Sequence, residues 1–214
     1  MSSDLDTYTH YPLHLDPSSK AVSLATTEGQ TPAQTEAVEA ELQQLNALHR
    51  SLISLDPPNV PPPPLPINPK RSAQITKLKE TANTAYKRGN HGEAVRLYSY
   101  AIEMAAGRPG WEPVNLAREE LSGLYANRAQ AHMAQQMWPE GWVDAKCSVE
   151  SKPVGNAKGW WRGGKCLVEM GRYDEARAWI EQALGIEGPA SDGGKELAAL
   201  LEEIKAGSQR RQGS

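Results

Sequence analysis

The chain has 214 residues and a formal net charge of −3 at pH 7, enough length for one sizeable core or for a domain with a smaller module beside it. So small a charge does not provide the clustered cations that nucleic acid calls for, and no nucleic-acid partner is expected. The two cysteines, Cys147 and Cys166, fit no zinc or redox spacing. No apolar run reaches about 18 residues, and the first thirty residues lack the charged start and apolar core of a signal peptide. These features predict a soluble chain with reduced, partly buried cysteines and no direct membrane insertion.

Charge is spread unevenly. Residues 1–69 hold eight acids (Asp4, Asp6, Asp16, Glu28, Glu36, Glu39, Glu41 and Asp56) against Lys20 and Arg50, which leaves the remainder mildly basic and suited to an anionic peptide end. The acidic part begins with Tyr8–Leu15, which alternates loosely, then Asp16-Pro17-Ser18-Ser19 as a turn and Ala21–Leu24 as a returning strand. Thr31-Pro32 then opens a helix, with Thr31 as N-cap and Gln34 completing a capping box. Val38, Leu42, Leu45, Leu48 and Leu52 recur at steps of three or four and should share one face. A hairpin and one helix cannot bury that stripe alone. Either the helix packs on the hairpin or the repeats, or the module at 1–56 docks on another subunit.

Residues 57–69 are proline-rich. Proline fixes φ and removes backbone donors, so the stretch reads as an extended polyproline II spacer, with an SH3-type ligand as the functional alternative. Beyond it the periodicity is helical: Leu78 to Arg88 and Glu93 to Ala106, Asn115 to Gln135 and Pro139 to Glu150, Lys158 to Met170 and Asp174 to Leu184, then one amphipathic helix from Lys195 to Lys205. That predicts three helical hairpins and a C-terminal capping helix over 70–207, followed by a disordered tail at 208–214. The five histidines are scattered, no metal set forms, and no nucleophile elbow or phosphate loop appears. The expectation is a non-catalytic chain without cofactor or metal.

The segment Gly89–Ile102 recurs in outline as Gly171–Leu184: glycine at the turn, an aromatic or histidine two later, alanine five later, a large apolar residue nine later and alanine twelve later. Glycine ends a helix, and the alanines let paired helices approach closely. Arg108-Pro109-Gly110-Trp111-Glu112-Pro113 lengthens the joint between the first and second hairpins. Residues 73–206 resemble the tetratricopeptide-repeat (TPR) family, although the middle repeat is degenerate, with Gly141 at its first alanine position. The resemblance implies a mostly α fold, a three-repeat TPR α-solenoid with a C-terminal capping helix, preceded here by a small α+β module.

A finer resemblance is to the carboxylate-clamp TPR subclass, which carries Lys-x-x-x-Asn on its first helix, Asn on its third and Lys-x-x-x-Arg on its fifth. The matching residues are Lys79 and Asn83, Asn127, and Lys158 and Arg162. Spacing of four places each pair on one helical face, and three cations with two amides suit a terminal carboxylate and an adjacent acid. The resemblance implies that the groove binds the acidic C-terminal tail of cytosolic heat-shock chaperones, of the seventy class or the ninety class. Trp160 and Trp161 flank the clamp, and one of them is a candidate ligand contact.

The whole-chain layout is similar to that of the cytosolic TPR subunit of the fungal post-translational ER translocation (Sec) complex. That likeness implies an amino-terminal module docked through Val38, Leu42, Leu45, Leu48 and Leu52 on a membrane-anchored companion subunit. It implies an adaptor that recruits precursor-carrying chaperones, held peripherally at the cytosolic face of the endoplasmic reticulum membrane. The alternative is a free cytosolic co-chaperone adaptor of the ninety class.

Overall fold

The computed structural model describes residues 10–55 and 57–212, and the chain divides into two compact units, 1–63 and 64–214. The fold is mostly α: a helical solenoid of TPR type and a small module with a two-stranded sheet.

In the first unit, strands β1 (Leu13–Leu15) and β2 (Val22–Leu24) pair antiparallel, with His14 opposite Ser23. Asp16 builds the turn by accepting the backbone N–H groups of Ser18 and Ser19 at 2.7 and 2.8 Å, and Lys20 takes the left-handed φ of 57° that closes it. Helix α1 (Pro32–Ile53) opens with the capping box on Thr31 and Gln34, and it packs on β2. Its apolar residues do not share one buried face. Val38, Leu42 and Leu52 are half-buried, while Leu45 and Leu48 are 49% and 46% exposed. The reason is Asn46, whose amide takes both backbone groups of Val22 at 2.8 and 2.7 Å and so fixes the rotation of α1 against the strand.

The proline-rich stretch is not uniformly extended. A turn forms at Pro57–Val60, where Asn59 has φ 63° and its N–H reaches back to the Leu52 carbonyl.

In the second unit, α2 (Pro69–Lys87) pairs with α3 (His91–Ala106), α4 (Val114–Ala134) with α5 (Trp138–Ser151), and α6 (Ala157–Glu169) with α7 (Tyr173–Glu187); α8 (Asp192–Gln212) covers α6 and α7. Helix α2 starts nine residues before the expected Leu78, because Asn68 caps it and Pro69 occupies the first helical position, where a missing N–H costs nothing. Helix α8 continues to Gln212, into the stretch expected to be disordered; Gly207 lies so close to Tyr173 that a Cβ would sit 2.6 Å from its ring. The long joint between α3 and α4 is pinned by Arg108, which bonds Ser72, Glu112 and Glu120.

Small residues set the helix spacing. Ala82, Ala94, Ala101, Ala129, Ala145, Ala176 and Ala183 have no exposed surface. At the irregular middle repeat, Gly141 serves the same end: a Cβ there would lie 2.9 Å from Cys166 Sγ. Larger side chains fill what remains. Tyr98, Ile102 and Leu124 gather in one cluster, and Trp160, Ile180, Leu197 and Ile204 in another. Cys166 is buried, its thiol pushed up to about 12 by that burial, so it behaves as a packed apolar group.

Two glycines measure this constraint. A Cβ at Gly164 would meet Ile180 Cδ1 at 2.6 Å, whereas Gly185, also helical, has nothing within 4 Å. Gly164→Ala is expected to destabilise by about 1–3 kcal/mol through overpacking. Gly185→Ala is expected to stabilise by about 0.5–1 kcal/mol through a less flexible unfolded chain. Opposite shifts of the urea midpoint would show it.

Candidate functional site

The first helices of the three hairpins, α2, α4 and α6, lie side by side, so residues far apart in sequence meet on one wall. Lys79, Asn127, Lys158 and Arg162 line a single hollow of about 540 Å³, and Asn83 lines an adjoining one of about 230 Å³. Asn127 borders both. The five residues singled out in the sequence are therefore gathered in one groove. Val38, Leu42, Leu45, Leu48 and Leu52 belong to the first unit.

Each amide is oriented by the fold. Tyr98 donates its hydroxyl to Asn83 Oδ1 at 2.5 Å, and Asn127 Nδ2 reaches the same oxygen at 3.4 Å. Burial pushes the Tyr98 phenol up, which keeps it a donor. With its oxygen occupied, Asn83 retains its amide N–H groups for a ligand.

Arg162 does not face solvent as expected of a groove cation. It is 9% exposed, donating Nη1–H to the Ala126 carbonyl at 2.7 Å and Nη2–H to the side-chain oxygen of Gln130. Both acceptors are neutral. Two other arginines with little exposed side chain provide the contrast. Arg108 is held by Glu120 and Glu112, and Arg128 by Asp144 at 2.7 Å, and those carboxylates push both guanidiniums above their ordinary range. Burial instead draws Arg162 down. Among the described residues Arg162 has no carboxylate partner, and Lys79 and Lys158 form no ion pair. The larger hollow thus carries three cations with one acid nearby, Glu187, which is engaged by the Asn156 backbone N–H at 2.6 Å, and Lys87 lines the adjoining one.

Sequence reasoning missed the residues that hold this arrangement. Asn156 caps α6 by accepting from Gly159 N and donates to Ser122, Ser148 and the Lys152 carbonyl. Its position three residues before Gly159 is a legible cap signal, but its buried partners are 8 to 34 residues away. Gly159 is obligatory beside it, since a Cβ would sit 2.8 Å from Asn156 Oδ1. Gln130, one helical turn from Asn127, could have been found by spacing. Trp160 is only 1% exposed and donates to the Pro153 carbonyl, so it is core, whereas Trp161 is half-buried. Arg128 turns away from the groove toward α5.

The contrast between the arginines has a measurable consequence. Arg128→Met leaves Asp144, which is 3% exposed, with only His132 Nε2 at 3.6 Å, and is expected to cost about 3–5 kcal/mol of stability. Arg162→Met frees only neutral acceptors and is expected to cost about 1–3 kcal/mol. Urea unfolding of the two variants compares them.

No protein-family model matches the chain. The ER protein translocation subcomplex subunit sec67 of Schizosaccharomyces pombe is 36% identical over 166 residues, covering 76% of this chain and 85% of that one. A chain in the cryo-EM structure of the Sec complex from S. cerevisiae superposes with a TM-score of 0.71 at 24% identity, covering 93% of this chain and 98% of that one. The second TPR domain of human RPAP3, solved in complex with the HSP70 peptide SGPTIEEVD, superposes with a TM-score of 0.51 at 22% identity, over 63% of this chain and 98% of that one. By sequence kinship over most of both chains, this chain, a TPR protein by its fold, belongs to the family of sec67.

Proposed function

We propose that the chain is a non-catalytic adaptor of post-translational protein translocation at the endoplasmic reticulum membrane. In this reading its groove binds the acidic C-terminal tail of a cytosolic heat-shock chaperone, of the seventy class in the first place and the ninety class in the second. The observation that carries it is Arg162, buried between neutral acceptors and grouped with Lys79 and Lys158 around one hollow. A buried cation without a counter-charge is costly, and an arriving carboxylate removes that cost with charge-assisted hydrogen bonds. Asn83 and Asn127 add neutral donors that fix the geometry of a chain end rather than of any acidic stretch.

The sec67 relationship supports a role in translocation, and the peptide-bound RPAP3 domain supports a tail ligand in this fold. Membrane attachment is assigned to the first unit, which docks on a membrane-anchored companion through the α1 flank that includes Leu45 and Leu48. Among the described residues no helix is long and apolar enough to cross a membrane, which suits peripheral attachment at the cytosolic face through that partner.

Calorimetry with an acidic tail peptide tests the groove. The free acid is expected to bind and the C-terminal amide to lose most of its affinity, because amidation removes the charge that the cations meet. Lys79→Ala and Lys158→Ala, which leave the core untouched, should each weaken the free acid by roughly tenfold to hundredfold. Equal binding of acid and amide would refute the clamp.

A further inference from the structure

We infer that the outer edge of β1 receives an extended strand of another protein, continuing the hairpin into a three-stranded sheet. The inference rests on the reading of the first unit as a docking module, and it assigns the mode of docking.

The hydrogen bonds of the hairpin decide which backbone groups are free. Ala25 N–H donates to the Pro12 carbonyl and Asp16 N–H to the Ala21 carbonyl, and His14 pairs with Ser23 between them. Inward-facing residues of β1 are therefore the even-numbered ones. Leu13 and Leu15 turn their N–H and C=O groups outward, and among the described residues no hydrogen bond is made by them. The opposite edge is different: the outward groups of Val22 are both taken by the Asn46 amide. The β2 edge is thus blocked at Val22, leaving only the outward groups of Leu24, whereas the β1 edge presents two donors and two acceptors spaced as a strand requires.

Side chains extend the same shelf. Leu13 and Leu15 stand opposite Leu24 and Val22, so all four lie on one face. Val22 and Leu24 are half-buried where α1 covers β2, while Leu13 and Leu15 are 53% and 55% exposed. Turning round α1 from Asn46, at the outer edge of β2, the half-buried Leu42 and Val38 come next, then Leu45 at about 100°. Leu45 and Leu48 lie beyond that half-buried face and stay exposed on α1, which packs on β2. An added strand would place alternate side chains beside Leu13 and Leu15. Residues 10–55 hold five acids, Asp16, Glu28, Glu36, Glu39 and Glu41, against Lys20 and Arg50. The occupant that fits is an extended segment of the membrane-anchored companion, apolar at alternate positions and flanked by basic residues.

Proline separates edge from interior. Leu15→Pro deletes an outward donor without touching the inner ladder, and edge strands tolerate proline. The full-length chain and its Leu15→Pro and Leu45→Glu variants are added to fungal microsomes stripped of the natural subunit and floated. Amide exchange of Leu13, His14 and Leu15 is followed with and without membranes. The expected result is loss of both variants from the membrane fraction, with the Leu13 and Leu15 amides of the unaltered chain exchanging fast when free and slowly when bound. His14, already paired inside the hairpin, should be slow in both states, and its slowness in Leu15→Pro certifies that the hairpin persists. If Leu45→Glu is released but Leu15→Pro floats normally, the module docks by its helix alone and strand addition is wrong. If both variants float, the module is not the docking unit, and both readings fall. If Leu15→Pro instead converts a dimer to a monomer without changing flotation, the edge belongs to a second copy of this chain and the inference is overturned. Should Leu15→Pro not fold, unchanged exchange at Leu13 and Leu15 on membrane binding overturns it alone.

Discussion

The repeat unit depends on how closely its helices approach. Alanines with no exposed surface stand at the crossings, and Gly141, Gly163 and Gly164 occupy positions where even one methyl would strike Cys166, Trp179 or Ile180. This close packing trades helix propensity for proximity: three glycines inside helices cost backbone entropy, and the packed contacts around them offset it. Such spacing brings α2, α4 and α6 side by side. A groove between them follows, and with it the meeting of Lys79, Asn127 and Lys158.

Within that frame, electrostatics distinguishes structural charges from available ones. Arg108 and Arg128 each close a pair with carboxylates on neighbouring segments, and those pairs fasten the α3–α4 joint and the α4–α5 contact. Arg162 is buried too but has only neutral acceptors, so its attraction for an anion is not spent inside the protein. Asn156 is the quiet counterpart. By capping α6 and joining it to Ser122 and Ser148 across the groove floor, it holds Lys158 and Arg162 in register with α4.

The first unit solves a different problem. Two short strands and one helix leave no fully buried residue on α1, so specificity there comes from hydrogen bonding more than from core packing. Asn46 imitates a neighbouring strand by meeting both Val22 groups, which anchors the helix and blocks the β2 edge at that residue. The consequence is asymmetry: apolar side chains and open backbone groups accumulate on the β1 side.

The sequence by itself determined the order and kind of the elements. Local signals sufficed for them: the Thr31–Gln34 capping box, glycine at the turns of the first and third hairpins (Gly89 and Gly171), and alternation around Asp16-Pro17. Recurrence of the repeat, with its family spacing, was also enough to nominate Lys79, Asn83, Asn127, Lys158 and Arg162. Pro69 misled, because proline as a helix breaker and proline as a first helical residue look alike until Asn68 is seen capping. What only the tertiary structure decided is which charges are compensated and which apolar residues are covered. Arg128 and Arg162 are both arginines on first helices; Asp144 on α5 and the Gln130 amide on α4 make them opposites. Leu42 and Leu45 share a stripe by periodicity, yet with α1 fixed by Asn46 one is half-buried and the other exposed. Periodicity assigns a residue to a face, but compensation and burial depend on partners up to dozens of positions away, and those are chosen by packing.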